Sequence, residues 1–121
     1  MNNKPKILLI DDDEAILDSY SLLWKKRFFL ITANDLASAL LTVKSESFDL
    51  LITDKNLGYH RGIDPLLNYM KEEKPNIPVI LLSGEDGNRA RQELYCHAFV
   101  QKGSLGCSDK LEKTIHELLS V

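Results

Sequence analysis

Short apolar runs alternate along the chain with longer stretches of mixed polarity. Four runs are especially clear, and the residues that follow them are Asp11, Asp54, Ser83 and Lys102. Apolar runs of this length, bounded by polar residues, indicate buried strands, and the stretches between them are long enough for helices. Because parallel strands need such crossovers, the alternation predicts an α/β fold with a parallel sheet.

We predict a doubly wound sheet of five parallel strands in the order 2-1-3-4-5. The first, third and fourth strands read as unbroken apolar runs, which suits strands buried on both faces. The second, over Phe28–Thr32, has a weaker pattern that suits an edge. This order makes the first and third strands neighbours, so the acids that follow them should meet at one edge of the sheet.

Helical periodicity predicts five helices between and after the strands. The first covers Glu14–Arg27, and Asn34 is expected to cap the second. The third contains Pro65 in its first turn, where proline is tolerated. The fourth is short, over roughly Asn88–Tyr95. The fifth begins after Ser108 or Asp109, with Asp109 and Glu112 spaced as a capping box.

The composition limits the classes of function. The 121 residues suffice for one domain, and the net charge of −3 without a basic block argues against a direct nucleic-acid partner. Cys96 and Cys107 have neither metal-type nor disulfide-framework spacing, as is usual for reduced cytosolic thiols. No apolar run is long enough for a signal peptide or a membrane span. We therefore expect a cytoplasmic domain with no membrane partner.

The predicted sheet edge gathers Asp11, Asp12 and Asp54. Three carboxylates this close favour a hard divalent cation such as Mg²⁺, with the backbone carbonyl of Asn56 as a further ligand. A carboxylate beside Mg²⁺ can act as a nucleophile toward phosphorus. Lys102 can neutralise a phosphoryl oxygen and Ser83 can donate a hydrogen bond to another, so the set suits phosphoryl transfer.

These features together resemble the CheY-like receiver domains of bacterial two-component response regulators. The resemblance rests on the four runs with their polar ends, Ile7–Asp13, Phe48–Asp54, Pro78–Gly84 and Phe99–Lys102. It covers essentially the whole chain, so it implies that residues 1–121 are a single receiver domain with a flavodoxin-like (βα)5 fold.

The resemblance also implies a role for each site residue. Asp54 would be the phosphoacceptor, and Asp11 and Asp12 the metal-binding acidic pair. Asn56 would supply a backbone metal ligand, and Lys102 would be the phosphate-binding lysine. Ser83 would be the switch hydroxyl and Phe99 the switch aromatic. The phosphoryl donor would be a sensor histidine kinase or a histidine phosphotransfer protein, and a downstream protein would receive the signal. Such domains also catalyse their own dephosphorylation.

Two alternatives remain open from the sequence. Asp11 and Asp13 match the Asp-x-Asp of haloacid-dehalogenase-like phosphatases, in which Asp11 would be the nucleophile. The chain could instead be a pseudo-receiver, a binding scaffold that needs no phosphate. Gly103 stands where the family often has proline, and the segment between Ser83 and Lys102 is about one helical turn short, which keeps that second alternative in view.

Overall fold

The computed structural model describes residues 4–55, 57, 63–84, 94–102 and 107–119. Within these residues, five parallel strands form one sheet in the order β2-β1-β3-β4-β5. The strands are β1 (Lys6–Ile10), β2 (Phe29–Ala33), β3 (Leu50–Asp54), β4 (Val79–Ser83) and β5 (Ala98–Gln101). The predicted fold class and strand order are confirmed.

Four helices lie within the described residues. They are α1 (Glu14–Leu23), α2 (Leu36–Ser45), α3 (Asp64–Glu73) and α4 (Cys107–Leu119). The last of these corresponds to the fifth helix predicted from the sequence. In this part of the chain, no helix combines the length and the apolar character that crossing a bilayer requires.

The apolar core has two layers, one on each face of the sheet. On one face, Leu8, Leu51 and Leu81 pack with buried residues of α2 and α3, among them Val43 and Met70. The other layer joins the alternate strand residues to α1 and α4, and includes Ile7, Leu9, Ile52, Leu17 and Leu111. Because side chains alternate between the faces of a strand, the central strands need apolar residues at every position. This explains their unbroken apolar runs.

The end of the first helix differs from the prediction. The first helix ends at Leu23 rather than Arg27, because the chain turns at Trp24. The N–H groups of Arg27 and Phe28 both donate to the Trp24 carbonyl at 2.9 Å. Trp24 and Phe28 are both buried, so the turn serves to place two large aromatic side chains in the core before β2 begins.

The predicted caps also need correction. Asp35, and not Asn34, caps α2, and its carboxylate accepts the Ser38 N–H at 2.7 Å. The fifth predicted helix begins at Cys107, which puts Asp109 inside the first turn and excludes the proposed capping box. Most of the predicted fourth helix lies outside the described residues, and its last two positions, Leu94 and Tyr95, are not helical.

Replacing the Asp35 cap should lower the thermal stability of the protein in a pH-dependent way. Hydrogen bonds from the Ser38 backbone N–H and hydroxyl lower the pKa of Asp35, so the charged cap stabilises the fold above the ordinary aspartate pKa of about 3.9. At pH 7, Asp35→Ala should lower the melting temperature by about 2–5 °C. The difference should shrink as the pH falls below about 4.

Asn34→Ala is the matched control for this cap. Its side chain contacts Glu14 and not a helix N–H, so the substitution should change the melting temperature by about 1 °C at most. A larger effect at Asn34 than at Asp35, measured by thermal denaturation followed by circular dichroism, would restore the original cap prediction.

Candidate functional site

Three aspartates converge where β1 and β3 end. The two strands are hydrogen-bonded neighbours, with Ile10 opposite Thr53, so the next residues, Asp11 and Asp54, lie side by side. One carboxylate oxygen from each of Asp11, Asp12 and Asp54 lies within 4.8 Å of the others. Asp11 is fully buried, Asp54 is 8% exposed and Asp12 faces solvent. The predicted acidic cluster is therefore formed.

The local fold gives the three consecutive aspartates different tasks. The Asp11 N–H donates to the carbonyl of Ala33 at 3.1 Å, which holds it against β2. Asp11 Oδ1 accepts the backbone N–H of Asp13 at 2.9 Å. Asp13 turns away and caps α1, where its carboxylate accepts the Ala15 N–H at 3.0 Å. Only Asp11 and Asp12 are left to face Asp54.

Lys102 brings a positive charge into this cluster. It follows β5, and its backbone N–H donates to the Ser83 carbonyl at 2.6 Å. Its Nζ lies 2.8 Å from Asp54 Oδ2 and 2.8 Å from Asp11 Oδ2. The contact with Asp54 is a hydrogen bond, and the contact with the buried Asp11 Oδ2 is an ion pair of the same length.

Burial and charge act against each other in this site. Burial raises the pKa of Asp11, and the hydrogen bonds and charge of Lys102 and the Asp13 N–H only partly oppose that rise. Burial alone would lower the pKa of Lys102, but the two carboxylates together outweigh it and raise that pKa. Lys102 is therefore a cation at neutral pH. When ionised, three carboxylates and one ammonium leave two negative charges, which matches a divalent cation.

Ser83 and Phe99 lie next to the charged cluster. Ser83 is the last residue of β4 and is 1% exposed. Phe99 is partly buried on β5, opposite Leu81, and packs against the same core layer as Leu81. Strand alternation puts Ser83 on the same face as Leu81, so Ser83 and Phe99 share one face of the sheet. Asn56, the predicted backbone ligand, and Gly103 lie outside the described residues.

Sequence comparison assigns the chain to a family. The family model for the response regulator receiver domain matches residues 7–116. The chain belongs to the response regulator receiver family. It is 34% identical over 80 residues, 65% of its length, to the cell cycle transcriptional regulator CtrA of Caulobacter vibrioides. It is 27% identical over 113 residues to the cell cycle response regulator CtrA of Brucella ovis, with 93% of its length aligned.

Solved receiver structures share this fold. A response regulator receiver domain protein from Clostridium thermocellum superposes with a TM-score of 0.77 at 26% identity, over 96% of this chain and 94% of that one. The Francisella response regulator 1452 receiver domain gives a TM-score of 0.83 at 24% identity, over 97% and 98% of the two chains. The receiver chain spans 34% of the Caulobacter relative and 45% of the Brucella relative.

Removing the bridging ammonium should destabilise the metal-free domain. In Lys102→Met, the buried Asp11 carboxylate faces Asp54 with no cation between them. We expect a loss of about 1–3 kcal/mol of unfolding free energy at pH 7, measured by urea denaturation in EDTA. Because the pKa of Asp11 is raised, acid neutralises this carboxylate early, so the loss should be smaller at pH 4.5 than at pH 7.

Lys110→Met provides the control, since Lys110 is an exposed lysine on α4. It should change the unfolding free energy by less than about 0.5 kcal/mol at either pH. Equal effects of the two substitutions would mean that Lys102 does not hold the acidic cluster together.

Proposed function

We propose that this receiver domain is a phosphorylation-dependent signalling switch that accepts a phosphoryl group on Asp54. The observation that carries the proposal is the position of Lys102 Nζ, 2.8 Å from both Asp54 and the buried Asp11. A phosphoryl group in transfer spreads negative charge over its equatorial oxygens, so a fixed ammonium beside the attacking carboxylate favours that state. Family membership supports the same function.

The acidic cluster fits Mg²⁺. Its ligands are hard carboxylate oxygens, its excess negative charge is two, and Asp12 keeps it open to solvent. Asp11, Asp12 and Asp54 would hold the ion together with the backbone carbonyl of Asn56. When bound, Mg²⁺ supplies positive charge that offsets the negative charge of the incoming phosphoryl group.

The residues of this chain have distinct parts in the transfer. A carboxylate oxygen of Asp54 forms a bond to phosphorus while the bond from phosphorus to the donor's imidazole nitrogen breaks, and the leaving imidazole keeps that electron pair and takes up a proton. Lys102 stays protonated, because its raised pKa keeps it cationic, and neutralises a phosphoryl oxygen. The Ser83 hydroxyl donates a hydrogen bond to another. Hydrolysis of the acyl phosphate by water returns Asp54 to its starting state.

Phosphorylation would change the surface through Ser83 and Phe99. The new group adds about −1.5 to −2 charges and acceptor oxygens. Ser83 moves toward them, and Phe99, on the same face of the sheet, turns into the space that it leaves. Such couplings amount to about 1–3 kcal/mol, which is enough to shift a population between two states and thereby alter the binding of a partner.

The partners follow from this function. A sensor histidine kinase or a histidine phosphotransfer protein donates the phosphoryl group in the cytoplasm, and a downstream protein recognises the changed surface. These 121 residues are expected to bind no nucleic acid themselves. The two CtrA regulators are longer than this chain, and the output proposed for this domain is altered protein binding.

Of the two alternative functions, the phosphatase is now less well supported than the pseudo-receiver. The family match over residues 7–116 favours the receiver over a haloacid-dehalogenase-like phosphatase. The geometry points the same way, because Asp13, the second acid of that motif, caps α1. A pseudo-receiver remains an alternative that the experiment below separates from the proposed switch.

Phosphoryl transfer should label Asp54. Incubation with phosphoramidate and Mg²⁺, reduction of the acyl phosphate with borohydride and peptide mass spectrometry should find the reduced residue at position 54. Asp54→Asn should abolish the label, and Lys102→Met should slow labelling by about 10²-fold or more. Label on Asp11 would instead establish the phosphatase. No label on any aspartate would favour the pseudo-receiver.

Magnesium binding should depend on the carboxylate of Asp12 and not on that of Asp13. Asp12→Asn removes a carboxylate from the cluster and should weaken Mg²⁺ binding by about tenfold or more. Asp13→Asn removes the same charge one residue away and keeps a capping side chain, so its affinity should stay within about twofold of the parent. Calorimetry suits this measurement better than tryptophan fluorescence, because Trp24 follows the end of α1 that is remote from the site. Equal losses in the two variants would show only general charge attraction.

A further inference from the structure

His97 joins β4 to β5 in an unusual way. The regular pairing of these strands begins with Ile80 opposite Ala98. One residue earlier, the His97 backbone N–H donates to the Val79 carbonyl at 2.8 Å. The Val79 N–H then donates to Nδ1 of the His97 ring at 3.0 Å, so a side chain takes the place of a backbone acceptor.

This bond requires one protonation state of the ring. A ring nitrogen accepts a hydrogen bond only when it carries no proton, so His97 must be neutral with its proton on Nε2. In the imidazolium form, Nδ1 becomes a donor and faces the Val79 N–H. Val79 is fully buried, so its N–H then loses its acceptor where water cannot easily replace it. His97 itself is exposed, so its ring can exchange protons with solvent.

We propose that His97 is a positioning residue that fastens the start of β5 to β4 when neutral and releases it when protonated. The consequence reaches the acidic cluster because β5 has only four residues and leads directly to Lys102. The far end of β5 is fixed by the bond from the Lys102 N–H to the Ser83 carbonyl. The functional part of this inference rests on the proposed role of Lys102.

The His97 ring contacts Tyr95 and the start of β4. Tyr95 is the titratable side chain placed against it, with the two rings edge to face and their centroids 5.3 Å apart. β4 carries no titratable residue. Within the described parts of the chain, no acidic or basic side chain forms an ion pair with His97. Histidine is the side chain that ordinarily changes charge between pH 5 and 8.

The first test follows the Val79 amide in the full chain by NMR hydrogen exchange. The protection factor of Val79 should fall roughly tenfold between pH 8 and pH 5.5. His97→Asn is the rescue variant, because its Oδ1 is attached at the same position as Nδ1 and accepts a hydrogen bond at every pH. It should keep the protection constant. His97→Gln carries its oxygen one bond further out and should lose protection at both pH values.

Some results would contradict the role proposed for His97. A Val79 amide whose protection does not change with pH in the parent, or changes equally in His97→Asn, overturns it. A ring that carries its proton on Nδ1 at pH 8, detected from the ring ¹⁵N shifts, also overturns it. A purely structural role for His97 would lower protection in every variant without the difference between Asn and Gln.

The second test compares labelling of Asp54 by phosphoramidate in the parent and in His97→Asn at each pH, so that the chemistry of the donor cancels. The labelling rate of the parent divided by that of His97→Asn should fall roughly threefold from pH 8 to pH 5.5. If this ratio stays constant while the protection of the Val79 amide changes with pH, the start of β5 does not influence Lys102. If neither protein is labelled at any pH, the proposed function fails, and the Val79 measurement alone decides the positioning role.

Discussion

The contact of one ammonium with two carboxylates depends on the whole sheet. Lys102 follows β5, while Asp11 and Asp54 follow β1 and β3, and β4 lies between β3 and β5. The lysine therefore reaches across the end of β4 to meet them at 2.8 Å. Two acids at the end of a buried sheet would repel each other and resist burial. The ammonium makes the arrangement tolerable, and the remaining negative charge leaves a place for a cation.

The sequence predicted the sheet and the cluster because the same residues encode both. Apolar runs mark strands that are buried on both faces, and the polar residue after each run marks its carboxyl end. The strand order brought Asp11, Asp12 and Asp54 together as expected. Parallel strands make this inference strong, since all of their carboxyl ends share one edge.

Other features depended on tertiary contacts that periodicity cannot show. The pattern of α1 continues past Leu23, but the burial of Trp24 and Phe28 favours a turn over a further helical turn. Asn34 and Asp35 are both good caps, and the choice between them depends on where β2 ends. His97 gave no signal, because its contact with Val79 exists only in the register that β5 adopts.

The fifth strand is held to β4 at both ends by contacts of different kinds. At the site end, the Lys102 N–H is bonded to the Ser83 carbonyl while its ammonium is drawn toward the carboxylates. At the other end, the ring of His97 substitutes for a backbone acceptor. A strand of four residues has few ladder bonds of its own, so its end contacts contribute a large share of its attachment. If both proposals hold, charge at the acidic cluster and protonation of His97 act on the same short element, which carries Phe99 between its two end contacts.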